Sequence, residues 1–177
     1  MADAGLARRY ATALYEIAIR RESLANVAED VNLIDETLRQ NPRLSTLMNS
    51  PETTADRKKA IFSELFQTRI QKLTLQFCHL LVDKRRVEVL ENLREEFQRL
   101  VDIAAGIVRA RVQTATPMTQ EQEAKMADQL SRLTRKKVIL SASLEPSLRG
   151  GAVVWIGDRL IDGSVQGYLT SIERQIA

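Results

Sequence analysis

The chain has 177 residues, 26 Lys+Arg against 23 Asp+Glu, and 44% hydrophobic residues, a composition that can bury a core and excludes a disordered or fibrous protein. The single cysteine, Cys78, excludes an internal disulfide framework, the single histidine, His79, excludes a Cys/His metal cage, and no run approaches the ~18 consecutive apolar residues of a membrane span. A soluble, cytosol-facing chain is expected, and Met1 to Arg9 shows no basic-then-apolar signal pattern.

The first helix opens the chain. At 100° per residue, Leu6, Ala7, Tyr10, Ala11, Ala13, Leu14, Tyr15, Ile17, Ala18 and Ile19 cover roughly 240° of its circumference, broken only by Arg8, where a surface helix needs little more than ~100°. A second helix follows Ser23, a candidate N-cap, with Leu24, Val27, Val31, Ile34 and Leu38 at helical spacing, and stops before Asn41-Pro42. A short segment runs from Pro42 to Ser50-Pro51. Thr54 then starts a helix with Ile61, Leu65 and Phe66 inward and Asp56 suited to its N-terminal dipole. Segments at 69–83 and 87–105 complete the set. The former repeats the first helix's excess: Ile70, Leu73, Leu75, Phe77, Cys78, Leu80, Leu81 and Val82 span roughly 220°. Each over-wide arc fits either a central bundle helix or one wall of a shallow groove that takes an amphipathic helix from another protein.

Glycine marks a change of architecture. None occurs between Gly5 and Gly106, and Gly150, Gly151, Gly157, Gly163 and Gly167 crowd the end of the chain. Residues 1–105 balance 16 basic against 16 acidic side chains, so the whole net charge of +3 belongs to 106–177. In this second part Val108, Ala110, Val112 and Thr114 alternate with Arg109, Arg111 and Gln113, the period of a half-buried strand. A helix from Thr119 to Thr134, a strand from Val138 to Leu144 and a hairpin of Gly151 to Ile156 with Arg159 to Asp162 around Gly157-Asp158 follow. A last helix is expected behind Asp162-Gly163-Ser164. The fold class is therefore α+β: an N-terminal six-helix bundle, 1–105, then a small α/β domain with a β-hairpin, 106–177. A domain of the second size is marginal alone.

Little in the chain suggests chemistry. Cys78 and His79 are helix neighbours about 100° apart and do not face each other. Lys84-Arg85-Arg86 and Arg135-Lys136-Lys137 lie where helices end, a favourable place for cations, and no stacking aromatics accompany them as nucleic-acid binding would require. Gly150-Gly151 and Gly157 match no phosphate-binding fingerprint. Asp35-Glu36 and Glu95-Glu96 read as pairs on polar helix faces. No catalytic residue, cofactor or metal is expected, and the chain reads as a non-enzyme.

Several stretches carry a resemblance. Ala7-Arg8-Arg9-Tyr10-Ala11-Thr12-Ala13-Leu14 with Tyr15-Glu16-Ile17-Ala18, the Asn49-Ser50-Pro51 turn, and Leu81-Val82-Asp83-Lys84-Arg85-Arg86-Val87 are similar to the delta-subunit family of F-type ATP synthases, whose mitochondrial counterpart is the oligomycin-sensitivity-conferring protein. The most specific match is Leu148-Arg149-Gly150-Gly151-Ala152-Val153-Val154 with Ile156-Gly157-Asp158-Arg159-Leu160-Ile161-Asp162-Gly163-Ser164-Val165-Gln166-Gly167, which resembles the family's signature hairpin. The resemblance implies a non-catalytic stator subunit linking the catalytic head to the peripheral stalk, so that rotary torque is resisted during proton-coupled ATP synthesis. It implies an N-terminal domain that takes the N-terminal helix of a head alpha subunit between the first and fifth helices. By position that groove falls on Tyr10, Ala13, Leu14 and Ile17 against Phe77, Leu80 and Leu81. The C-terminal domain is implied to hold the stalk's b subunits, either b/b or b/b′, and the protein to lie peripherally, without insertion, on the cytoplasmic (or stromal or matrix) face of the energy-coupling membrane. The competing reading is an RNA-associated helical adaptor with a basic α/β domain.

Overall fold

A computed structural model describes residues 4–148, 150–157 and 159–165. They form a mixed α+β chain in two compact units that divide between Val101 and Asp102, inside the last helix of the first unit and slightly before the glycine boundary at 105/106.

In the first unit the elements run α1 (Ala4–Arg20), α2 (Leu24–Gln40), α3 (Pro42–Asn49), α4 (Ala55–Phe66), α5 (Lys72–Asp83), a 3₁₀ turn (Val87–Val89) and α6 (Leu90–Ala104). They enclose one core. Into it α1 turns Ala7, Ala11, Leu14 and Ala18, a stripe at spacings of four, three and four residues whose small side chains permit close backbone approach. Val27, Val31 and Ile34 of α2, Phe62 and Phe66 of α4, Cys78, Leu81 and Val82 of α5 and Leu93 and Phe97 of α6 fill the rest. Phe62 completes the inward face of α4, on which Ile61 and Leu65 are only half-buried.

Helix ends show which local signals operate. Thr54 caps α4, its hydroxyl accepting the Arg57 N–H at 3.3 Å, and Pro42 opens α3. Ser23 does not cap α2 with its side chain; its hydroxyl donates to the Ala18 carbonyl at the end of α1. In the first unit two helices close in left-handed residues that are not glycine. Glu22 (φ 52°) lets Ser23 N–H reach the Ala18 carbonyl, and Arg85 (φ 54°) lets Arg86 N–H reach that of Leu81. Both have the hydrogen bonding of a Schellman ending, which is how the chain turns its helices without glycine.

The carboxylate pairs behave differently from the expectation. Asp35 is buried, not on a polar face, because the guanidinium groups of Arg39, at 2.9 Å, and Arg94, at 3.2 Å, bind its carboxylate. Glu96 is likewise largely covered and pairs with Arg8. A carboxylate held by guanidinium groups can be buried where a lone one cannot.

The second unit holds β1 (Ile107–Thr114), α7 (Gln120–Thr134), β2 (Lys137–Leu144), β3 (Ala152–Ile156) and β4 (Arg159–Asp162). The sheet order is β2-β1-β3-β4, with β1 parallel to β2 and antiparallel to β3. On β1, Ala110, Val112 and Thr114 are buried while Arg109 and Arg111 are exposed, the alternation that the residues announce. α7 begins in a full capping box between Thr119 and Gln122 and packs Leu130 and Met126 on that apolar face. Pairing of Ile156 with Arg159 leaves a two-residue turn that Gly157 enters at φ 58°. The final expected helix, with Gln166 and Gly167, lies outside the described residues, as do Arg149 and Asp158. Among the described residues no helix is long and apolar enough to cross a membrane.

Candidate functional site

The groups most often recruited for catalysis are committed elsewhere. Cys78 is fully enclosed, and burial, followed by the nearby charge of Asp30, pushes its thiol up to about 12, so no thiolate forms at neutral pH. His79 Nε2 lies 3.3 Å from the Ser63 hydroxyl on α4, not against its neighbour in sequence. Among the described residues no cluster of His, Cys, Asp and Glu could hold a metal ion. The basic runs close helices: Lys84 and Arg85 end α5, and Arg135 ends α7 in the left-handed conformation.

What remains is a surface. The Tyr10 ring on α1 meets the Phe77 ring on α5 edge to face, with centroids 6.3 Å apart, so the two over-wide helices approach each other at this point. Tyr10 is half-buried and Phe77 only 8% exposed; beside them Ala13 is open, Ile17 is 40% exposed and Leu80 is 44% exposed. Half-buried Leu6 and Leu73 adjoin on the same helix faces. Apolar side chains of both helices thus stand open or half-open around the Tyr10–Phe77 contact, and we call this set the strip. Leu14 and Leu81 do not belong to its surface. Both are fully buried in the core, because at 100° per residue each falls on the inward side of its helix, and they form the floor beneath the strip.

The position of α5 depends on a residue that local patterns conceal. Asp30 on α2 is buried and accepts two hydrogen bonds at one oxygen, from the Gln71 N–H at 3.0 Å and from the Thr74 hydroxyl at 2.6 Å. Asp30 sits among the polar residues of an amphipathic helix, and its pairing becomes visible only when residues 41 and 44 positions away arrive.

In the second unit the glycine-rich residues form a pinned loop. Gly163 N–H donates to the Ala152 carbonyl at 2.9 Å and Val165 N–H to that of Gly150 at 3.1 Å, while Leu148 N–H closes a turn on Glu145. Gly151 has φ 82°, and a Cβ there would stand 2.3 Å from the Gly163 carbonyl oxygen, so only glycine fits. Asp162 accepts the Ser164 N–H at 2.9 Å; hydrogen bonding by Ser164, first by its side chain and then by its backbone, holds the Asp162 carboxyl below its ordinary range. Gly150, Gly151, Gly157, Asp162, Gly163 and Ser164 thus act on backbone shape.

Comparison with known proteins places this architecture. The family model described as ATP synthase delta (OSCP) subunit matches residues 6–176. The chain is 35% identical to an ATP synthase subunit delta of Chlorobaculum parvum and 34% identical to that of Chlorobaculum tepidum, in each case over 99% of this chain and 97% of the relative. It is 31% identical to that of Desulfitobacterium hafniense, over 100% of this chain and 99% of the relative. A chain in the cryo-EM structure of the Toxoplasma gondii mitochondrial ATP synthase hexamer shares the fold, with a TM-score of 0.75 at 19% identity over 97% of both chains.

Proposed function

We infer a division of labour between the two units from one premise: the chain belongs to the ATP synthase delta (OSCP) family, and is therefore a non-catalytic stator subunit linking the catalytic head to the peripheral stalk. In our reading the first unit is the family's six-helix head-binding domain. Its docking strip takes the N-terminal helix of an alpha subunit, laid between α1 and α5 with its apolar face down. The second unit holds the ends of the b (b/b or b/b′) stalk helices, and the protein sits on the cytoplasmic face of the energy-coupling membrane, or the equivalent stromal or matrix face. Nothing favours an RNA adaptor.

The observation that carries the reading is the pair of large exposed aliphatic side chains, Ile17 and Leu80, flanking the Tyr10–Phe77 contact. Such side chains gain free energy only when something covers them, and a helix is the shape that fits between two helices. A contact of this kind, burying roughly 1,200–2,000 Å², reaches nanomolar affinity when a few anchors pack well. The subunit's work then rests on affinity and stiffness, since the stator must hold the head while the central shaft turns.

Tyr10→Asp places a charge at the centre of the strip. In a pull-down from detergent-solubilised membranes the tagged variant is expected to lose the alpha subunit and keep the b subunits. Retention of both at wild-type yield, with the variant folded by circular dichroism, would remove the docking assignment.

A further inference from the structure

We propose that Asp30 is the positioning residue of the docking strip: one buried carboxylate oxygen on α2 fixes how far α5 is advanced and how it is turned, and so where Phe77 and Leu80 stand beside α1. The consequence for binding rests on the docking reading above; the cause rests on hydrogen-bond geometry alone.

Asp30 is 6% exposed, and its Oδ2 accepts the Gln71 N–H and the Thr74 hydroxyl together. Gln71 flanks α5, yet its own side chain makes no cap bond, and the first turn of α5 carries no acidic residue. The Gln71 amide, at the start of the helix, is satisfied by a residue on another helix. Two donors one turn apart on a single oxygen make a two-point clamp. The Gln71 bond limits sliding along the helix axis, and the Thr74 bond limits rotation about it.

Register matters because a slip of one residue moves a helix about 1.5 Å and turns its side chains by about 100°. Thr74 precedes Phe77 by three residues, so the clamp and the ring that meets Tyr10 occupy adjacent turns. A partner helix reads the spacing of its anchors, and affinity in such contacts is concentrated in a few of them.

The test uses the full chain and a synthetic peptide of the alpha-subunit N-terminus, at a temperature where every variant is folded. Asp30→Ala is expected to raise the peptide Kd about tenfold, the loss of one well-placed anchor, and to erase the NMR cross-peaks between the Tyr10 and Phe77 rings. Asp30→Asn keeps an acceptor oxygen and is expected to stay within about twofold of wild type with the cross-peaks intact. Val27→Ala, a cavity on the same helix that leaves the clamp in place, is expected to lower the unfolding midpoint while preserving affinity and cross-peaks.

The proposal is overturned if folded Asp30→Ala keeps native cross-peaks and affinity, or if Val27→Ala loses as much of both. Should Asp30→Ala not fold, Thr74→Val removes one arm of the clamp; weakened cross-peaks with a Kd raised about threefold support the proposal, and no change overturns it. A wild-type chain that ignores the peptide while the cross-peaks respond as described supports the clamp and sinks the docking reading.

Discussion

Truncating Ile17 and Leu80 separates what these side chains do for folding from what they do for docking. Burying a large aliphatic side chain completely contributes about 2.5 kcal/mol. With Ile17 40% and Leu80 44% exposed in the free chain, somewhat under half of that, about 1 kcal/mol each, remains to be gained when a partner covers them. The rest is already present in the fold. Ile17→Ala and Leu80→Ala should therefore each weaken peptide binding about fivefold. The two residues lie on different helices, so their effects should nearly add, and the double variant should lose about 2 kcal/mol, roughly thirtyfold in Kd. Titration calorimetry well below the melting point gives the binding part, and urea titration of the free protein gives the folding part. A double variant that unfolds more easily, as half-burial requires, but binds within twofold of wild type would refute the reasoning, since no partner would then cover these side chains.

The helix ends make opposite tests of glycine. Glu22→Gly and Arg85→Gly relieve left-handed backbone at φ 52° and 54° and should each stabilise the first unit by about 0.5–1 kcal/mol, a rise in Tm of about 3–5 °C. Gly151→Ala must place its Cβ 2.3 Å from the Gly163 carbonyl, and should cost the second unit about 3 kcal/mol, read as lost amide protection in β3 and β4. Because the Asp162 carboxyl is held below its ordinary value of 3.8 in the fold, its contribution is present above that value and is lost as pH falls through and below it. Protection of the Ser164 amide should hold above the ordinary value of 3.8 and decline as the pH falls below it, and Asp162→Asn should flatten the dependence. Cys78, with its thiol pushed up to about 12, should resist iodoacetamide at pH 8 in the native protein and react at once in urea; native labelling at the unfolded rate would contradict its burial.

Local chemistry makes much of this protein legible from its residues alone. Thr54 and Thr119 start helices because a hydroxyl can satisfy an amide three residues on, and Ala110 to Thr114 form a strand because alternate residues can face a core. The stretch without glycine from 6 to 105 holds only helices and the glycine-rich end holds the β3–β4 hairpin, and α1 and α5, whose apolar arcs are over-wide, leave Ile17 and Leu80 exposed. All these signals act within a few residues or repeat along one element.

Tertiary structure decided whatever needed two distant segments at once. Periodicity says that Leu14 and Ile17 are both apolar, but only packed neighbours settle that the first is sealed in the core and the second left in solvent. Asp35 reads as a surface carboxylate until Arg94 of α6 joins its helix neighbour Arg39 on it, and Asp30 finds its donors only when the start of α5 docks on it. The sheet order β2-β1-β3-β4 belongs to the same class, since strand pairing joins residues dozens apart. Hydrophobicity and hydrogen-bonding capacity are carried by each residue along the chain, whereas the partner that satisfies them is chosen only when the chain closes in three dimensions.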